Sequence, residues 1–157
     1  ETRMKQVNDL LRAAKDGVPP AEQLHAFIRT YLKLVHDEPA AAEVLTIELR
    51  QSSKFMKEYE NPQFAHFLRM LGKLIADGQE RGEIDASIPP HIAARMIFGM
   101  LDELALAWVL SKQNPPGATG SRPKKFDIVR AADWVVALVS AGLKPHVKAT
   151  TSKELSP

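Results

Sequence analysis

The sequence predicts an all-α fold, an antiparallel bundle of about six helices. Three observations predict it. Apolar residues recur at helical spacing in one segment after another; no run alternates apolar and polar residues between tight Asn-Gly or Asp-Gly turns; and Pro19-Pro20, Pro39, Pro62 and Pro89-Pro90 stand where helices would begin. The chain has 157 residues, enough for one domain with its own core, since roughly 100–200 residues make one.

Thr2 to Lys15 reads as a first helical piece. It stops at Asp16-Gly17-Val18-Pro19-Pro20, where glycine supplies a C-cap and two prolines forbid continuation. Ala21 to His36 follows, with Leu24, Phe27, Ile28, Tyr31, Leu32, Leu34 and Val35 on one face and Arg29, Thr30 and Lys33 opposite. Pro39 then opens a short helix, Ala40 to Arg50, whose apolar residues fall on two sides: Val44 and Ile47 against Leu45 and Leu49. Ser52 to Asn61 carries no clear pattern, and Asn61-Pro62 offers an N-cap and an N1 proline. Phe64 to Arg81 again shows one stripe: Phe64, Phe67, Leu68, Met70, Leu71, Leu74 and Ile75, ending at Gly82. A short link, Glu83 to Ile88, meets Pro89-Pro90.

From Pro90 to about Ser111 the projection is apolar around almost the whole circumference, with only Arg95, Asp102 and Glu103 interrupting it. Such a helix must be covered on every side. Lys112 to Lys125, carrying Gln-Asn-Pro-Pro-Gly and Gly-Ser-Arg-Pro, reads as a mobile basic loop. The last helix, Phe126 to Leu143, has an apolar arc of Ile128, Val129, Ala132, Val135, Val136, Leu138, Val139 and Leu143. Residues 1–143 are thus expected to be one domain and 144–157 a disordered polar tail.

Composition narrows the function. The chain holds 21 Lys+Arg against 19 Asp+Glu, a formal net charge of +2, which sets no single-sign field for nucleic acid or membrane. Zero cysteines exclude a disulfide framework, a cysteine metal site and a cysteine nucleophile, and fit a cytoplasmic protein. Glu1-Thr2-Arg3-Met4-Lys5 lacks the apolar region of a secretory signal, and with no initiator Met the sequence reads as a fragment or a processed chain. Ile92 to Leu110 is long enough to invite a membrane reading, but Asp102 and Glu103 sit near its middle. Asp at a helix centre costs roughly 2.5–3.5 kcal/mol, while each Leu, Ile, Phe or Val returns only about 0.3–0.6.

No enzyme motif appears. His25, His36, His66, His91 and His146 form no His-Glu-x-x-His motif, and Glu22-x-x-His25 is only half of a di-iron bundle site. There is no Gly-x-Ser-x-Gly elbow, P-loop or dinucleotide fingerprint. Asp102 and Glu103 are adjacent, so they diverge by about 100° and do not suit a paired acid/base role. The reading is a non-enzyme with no cofactor and no metal.

The last two helices offer more apolar surface than the upstream stripes can cover. A homodimer is the economical answer, the two helices of each protomer joining their twins in a four-helix interface. Gly99, Ala105 and Ala107 permit close approach. The expected seam comprises Phe98, Asp102, Ala105 and Val109 with Ile128, Val129, Ala132, Val135, Val136 and Val139.

The arrangement resembles the C-terminal, effector-binding and dimerisation region of TetR-family transcriptional regulators. Three segments carry the resemblance: Leu49-Arg50-Gln51-Ser52-Ser53-Lys54-Phe55-Met56-Lys57-Glu58-Tyr59, Ile75-Ala76-Asp77-Gly78-Gln79-Glu80-Arg81-Gly82-Glu83-Ile84, and Phe98-Gly99-Met100-Leu101-Asp102-Glu103-Leu104-Ala105-Leu106-Ala107-Trp108-Val109. The first and third are closest to the fatty-acid branch that responds to acyl-CoA. The likeness covers about Met4 to Leu143. It implies a repressor parent whose helix-turn-helix domain, absent from this chain, binds operator DNA as a dimer; the chain itself would not.

The resemblance also implies a ligand cavity among the middle helices, capped by the Pro90 helix and filled by an acyl-CoA or fatty acid. The projections aim Phe27, Tyr31, Leu34, Leu45, Leu49, Phe64, Phe67, Leu71, Ile97, Met100, Leu101 and Leu104 inward. Arg50, Lys54, Arg69 and Lys73 flank the aromatic stripe and are candidates for a polar mouth. Ligand would select one angle between the first helix and the dimer core, with typically 1–3 kcal/mol of coupling. The alternative is a helical homodimerisation module that binds no small molecule.

Overall fold

The computed structural model describes residues 2–12, 17–40, 42–43, 62–112 and 123–145. They form helices α1 (Thr2–Arg12), α2 (Pro20–Asp37), α3 (Pro62–Glu80), α4 (Pro90–Lys112) and α5 (Ile128–Gly142), with no strand among the described residues. The chain is all-α. Residues 39–40 and 42–43 are also helical, the beginning of the short helix expected after Pro39. The rest of that helix, the segment up to Asn61, most of the basic loop and the tail from residue 146 lie outside the described residues.

The proline signals place the starts well. Pro19 makes no side-chain cap for α2, and the orphan N–H of Ala21 instead donates to Glu83 Oε2, 3.2 Å away in the turn after α3. α3 stops at Gly82, whose φ of +72° lies in the left-handed region that glycine enters without a Cβ penalty. The chain then folds back, and the Gly78 carbonyl accepts from Glu83 N–H (2.9 Å) and Ile84 N–H (3.2 Å). The Gln79 amide secures the turn by donating to the carbonyls of Asp85 (2.9 Å) and Ile88 (2.8 Å).

The last helix begins two residues later than expected. Asp127 takes the N-cap, its carboxylate accepting from Val129 N–H (2.9 Å) and Arg130 N–H (3.2 Å), so Phe126 remains outside the helix. At the other end Asp85 N–H donates to the Leu143 carbonyl at 2.8 Å. α5 is therefore held to the α3–α4 turn.

α2 lies along α5, α3 lies along α4, and α1 rests on α3 and α2. The core between them takes Leu24, Ile28 and Leu32 from α2, Phe67, Leu71 and Ile75 from α3, Leu101 from α4 and Ile128 from α5. α4 is covered on part of its circumference only. Ala93, Ala94, Ile97, Leu101, Ala105 and Trp108 are buried, whereas Ile92, Met96 and Leu110 face out.

Candidate functional site

Between α2, α3 and α4 the interior is stacked in levels set by helical turns. The first is aromatic: Phe67 has ring centroids 5.8 Å from Phe27, 6.3 Å from Phe64 and 5.5 Å from Phe98, and Phe64 meets Phe98 edge-on at 5.1 Å. Rings at these separations attract beyond their area burial. One turn further along α2 is Tyr31, buried, with its ring 6.0 Å from Phe27. One turn beyond Phe98 on α4 is Asp102, with Oδ1 sealed from solvent. Burial, then the negative charge of Asp102, push the Tyr31 phenol well above its ordinary range. The third level is Trp108, its ring 5.9 Å from His36 and 3.5 Å below the Lys112 ammonium.

Of the twelve residues aimed inward by projection, Phe27, Tyr31, Phe67, Leu71, Ile97 and Leu101 are buried in the shared core, and Leu34 and Phe64 are half-buried. Phe27, Tyr31, Phe64 and Phe67 are brought into one chain of ring contacts. Met100 and Leu104 are half-buried, packed against the core from the side of α4 that lines a groove on the outside of the bundle. Leu45 and Leu49 lie outside the described residues.

The expected polar mouth is only partly in view. Arg69 and Lys73 are exposed on α3, and the Lys73 ammonium is engaged with Asp77 one turn on, at 3.0 Å. Arg50 and Lys54 lie outside the described residues.

The residues expected at a seam pack largely within the single chain. Ala105, Val109, Ile128, Ala132, Val135, Val136 and Val139 are all buried within the single chain. Trp108 and Val135 are among the shielded residues, at 3% and 5% exposure. Phe98 packs on Phe64 and Phe67, Asp102 is half-buried with Oδ1 sealed from solvent, and only Val129 of that set is exposed. The reason is that α5 spends its valine face on its own bundle, chiefly against α2. The most exposed large apolar side chains are Trp134 (55%) and Leu138 (64%) on α5 and Met96 (57%) on α4. Trp134 and Leu138, with Gly99, Met100, Glu103, Leu104, Phe126, Ala131 and Val135, line an open groove of about 620 Å³ between α4 and α5. The spacing of Trp134 and Leu138, four residues apart on one helix face, was the signal available for it.

His25 hydrogen-bonds across to Ser140 at 2.9 Å, and Arg29 pairs with Asp133 at 3.1 Å, so these polar groups tie α2 to α5. Among the described residues no cluster of His, Asp or Glu has metal-binding geometry, and no helix is long and apolar enough to cross a membrane.

A family model described as YsiA-like protein, C-terminal region, of the TetR C-terminal type, matches residues 1–142. A fatty acid metabolism regulator protein of Bacillus subtilis (strain 168) is 27% identical over 129 residues, covering 82% of this chain. The chain spans 61% of that relative's length. Among solved structures, the transcriptional regulator FadR of Bacillus subtilis in complex with stearoyl-CoA aligns with a TM-score of 0.73 and 26% identity, over 90% of this chain and 71% of that one. The fatty acid degradation regulator FadR of Bacillus halodurans aligns with a TM-score of 0.67 and 25% identity, over 89% of this chain and 65% of that one.

Proposed function

We propose a function from one premise: this chain belongs to the TetR-type family of YsiA-like protein C-terminal regions, which are parts of transcriptional regulators and not enzymes. Its role is to sense a long-chain acyl-CoA and to hold two protomers together, so that ligand occupancy sets the operator affinity of the whole repressor. The observation that carries this reading is the match, over 90% of the chain, to a regulator whose crystal structure contains stearoyl-CoA. Support from the chain itself comes from its interior, where Phe27, Phe64, Phe67 and Phe98 pack together between α2, α3 and α4, apolar side chains of the kind that burying a hydrocarbon tail uses.

Dimerisation is assigned to the α4–α5 groove. Trp134 and Leu138 stand exposed beside it, and covering side chains of this size is worth roughly 1.5–3 kcal/mol each. An isologous pair of such patches would satisfy both copies at once. Contact with DNA belongs to the remaining length of the regulator, and the place of action is the cytoplasm.

Calorimetric titration with stearoyl-CoA, paired with sedimentation of the same sample, tests the reading. Saturable binding to a dimer is expected. A dimer that takes up no acyl-CoA would instead establish a plain dimerisation module, and a monomer at high concentration would remove the assigned seam.

A further inference from the structure

α1 is a polar helix with a narrow hold on the bundle. Among the described residues, Val7 and Leu11 carry it onto the core, and Asn8 is buried beside them. Its last residue, Arg12, reaches across to α3, where a guanidinium Nη2 stands 3.1 Å from Nε2 of the half-buried His66. Arginine has only donors to offer and keeps its charge throughout the ordinary pH range. The acceptor must therefore be the lone pair of His66 Nε2, which fixes this ring as neutral with its proton on Nδ1.

A second proton on the ring would remove that acceptor and set one cation against another. The surroundings give such a cation little in return. α1 brings Arg12 and, three residues earlier on the same face, the exposed Asp9; α3 itself brings the exposed Arg69, three residues further on. α2 and α4 meet α3 at Phe67, through Phe27 and Phe98, and neighbouring residues on a helix point about 100° apart. We propose that the Arg12–His66 contact is a latch released by a proton: the end of α1 is docked on α3 while His66 is neutral and let go when it is protonated. Imidazole is the side chain whose charge ordinarily changes between about pH 5 and 8, so the contact is complete towards the upper end of that range and lost towards the lower. The angle between α1 and the bundle then answers to a proton as well as to a ligand, and the inference stands whether or not the chain binds acyl-CoA.

The experiment follows the imidazole nitrogens by NMR and the hydrogen exchange of α1 amides, scaled to the intrinsic rate at each pH, from about pH 8 to 5. It uses the unaltered chain and the His66→Gln and Arg12→Met variants. In the unaltered chain His66 should show the Nδ1–H form at the upper pH. Protection of α1 should then fall by roughly three- to tenfold, the scale of losing one exposed charged hydrogen bond and gaining a like-charge contact. His66→Gln, whose amide oxygen accepts at every pH, should keep α1 protected with no such fall. Arg12→Met should leave α1 less protected to the same degree at both ends of the range. His25 titrates in all three chains, so its effect on α2 and α5 is common to them. An Nε2–H ring at the upper pH, unchanging protection of α1 in the unaltered chain, or the same pH dependence in His66→Gln would overturn the latch. The ring spectrum of the unaltered chain decides alone if either variant fails to fold.

Discussion

Ile84 lies directly against Gly78: a Cβ at Gly78 would stand 2.6 Å from Ile84 Cδ1, 3.0 Å from its Cγ1 and 3.4 Å from Pro20 Cβ. The glycine lets the chain leaving α3 fold back onto the helix that it has just completed. Ile84 is buried, so it has little room to yield. Placing Ala in a helix in place of Gly gains about 0.5–1 kcal/mol, while overpacking a tight contact costs typically 1–3. Gly78→Ala should therefore destabilise the protein, read as a lower denaturant midpoint with an unchanged slope.

Phe67 is fully buried and meets three other phenylalanine rings. Phe67→Ala should cost about 3–5 kcal/mol, the range for emptying a large aromatic site. Urea unfolding checks it. A loss under 1 kcal/mol would mean that the rings are not closely packed.

His25 makes stability depend on pH. Burial first, and then the Arg29 charge, hold its imidazole below the ordinary 6.5, with Glu22 pulling the other way. The folded chain thus takes up this proton less readily than the unfolded chain. The contribution is fully present above about pH 6.5 and declines as pH falls through that value towards the lowered folded pKa. His25→Gln should flatten the part of the stability profile between pH 7 and 5 that this residue causes, seen in unfolding midpoints across that range.

Trp134→Ala and Leu138→Glu should weaken self-association without unfolding the protomer, because both side chains are more than half exposed within it. Removal of an interface tryptophan commonly costs about 2 kcal/mol or more. Sedimentation should show a shift towards monomer with unchanged helical circular dichroism. Val135→Ala should behave in the opposite way, lowering the melting temperature of the protomer itself.

The helices were legible in the sequence because their causes are local. Stripes such as Leu24, Phe27, Ile28, Tyr31 and Leu32 follow the helical period, and prolines mark the starts at Pro20, Pro62 and Pro90. Choice of partner face was not legible. Both Val135 and Leu138 are apolar and lie on one helix, yet α2 covers the first side of α5 and leaves the second open, which is a property of the assembled bundle. Asp102 reads from the sequence as a seam residue or as the cap of a polar pocket, and the sealing of its Oδ1 from solvent is again a property of the assembled bundle. The Glu83 cap on α2 joins positions 62 residues apart, beyond any local pattern.

The hydrogen bond from Asp85 N–H to the Leu143 carbonyl anchors the end of α5 to the turn between α3 and α4, while the Asp127 cap closes the first turn of α5 on itself. Tilting of α3 would be passed through that anchor to the helix that carries Trp134 and Leu138. Deuterium uptake at the Asp85 amide should accordingly rise and fall in step with that of α5, so that one peptide group reports the mechanical state of the whole outer face.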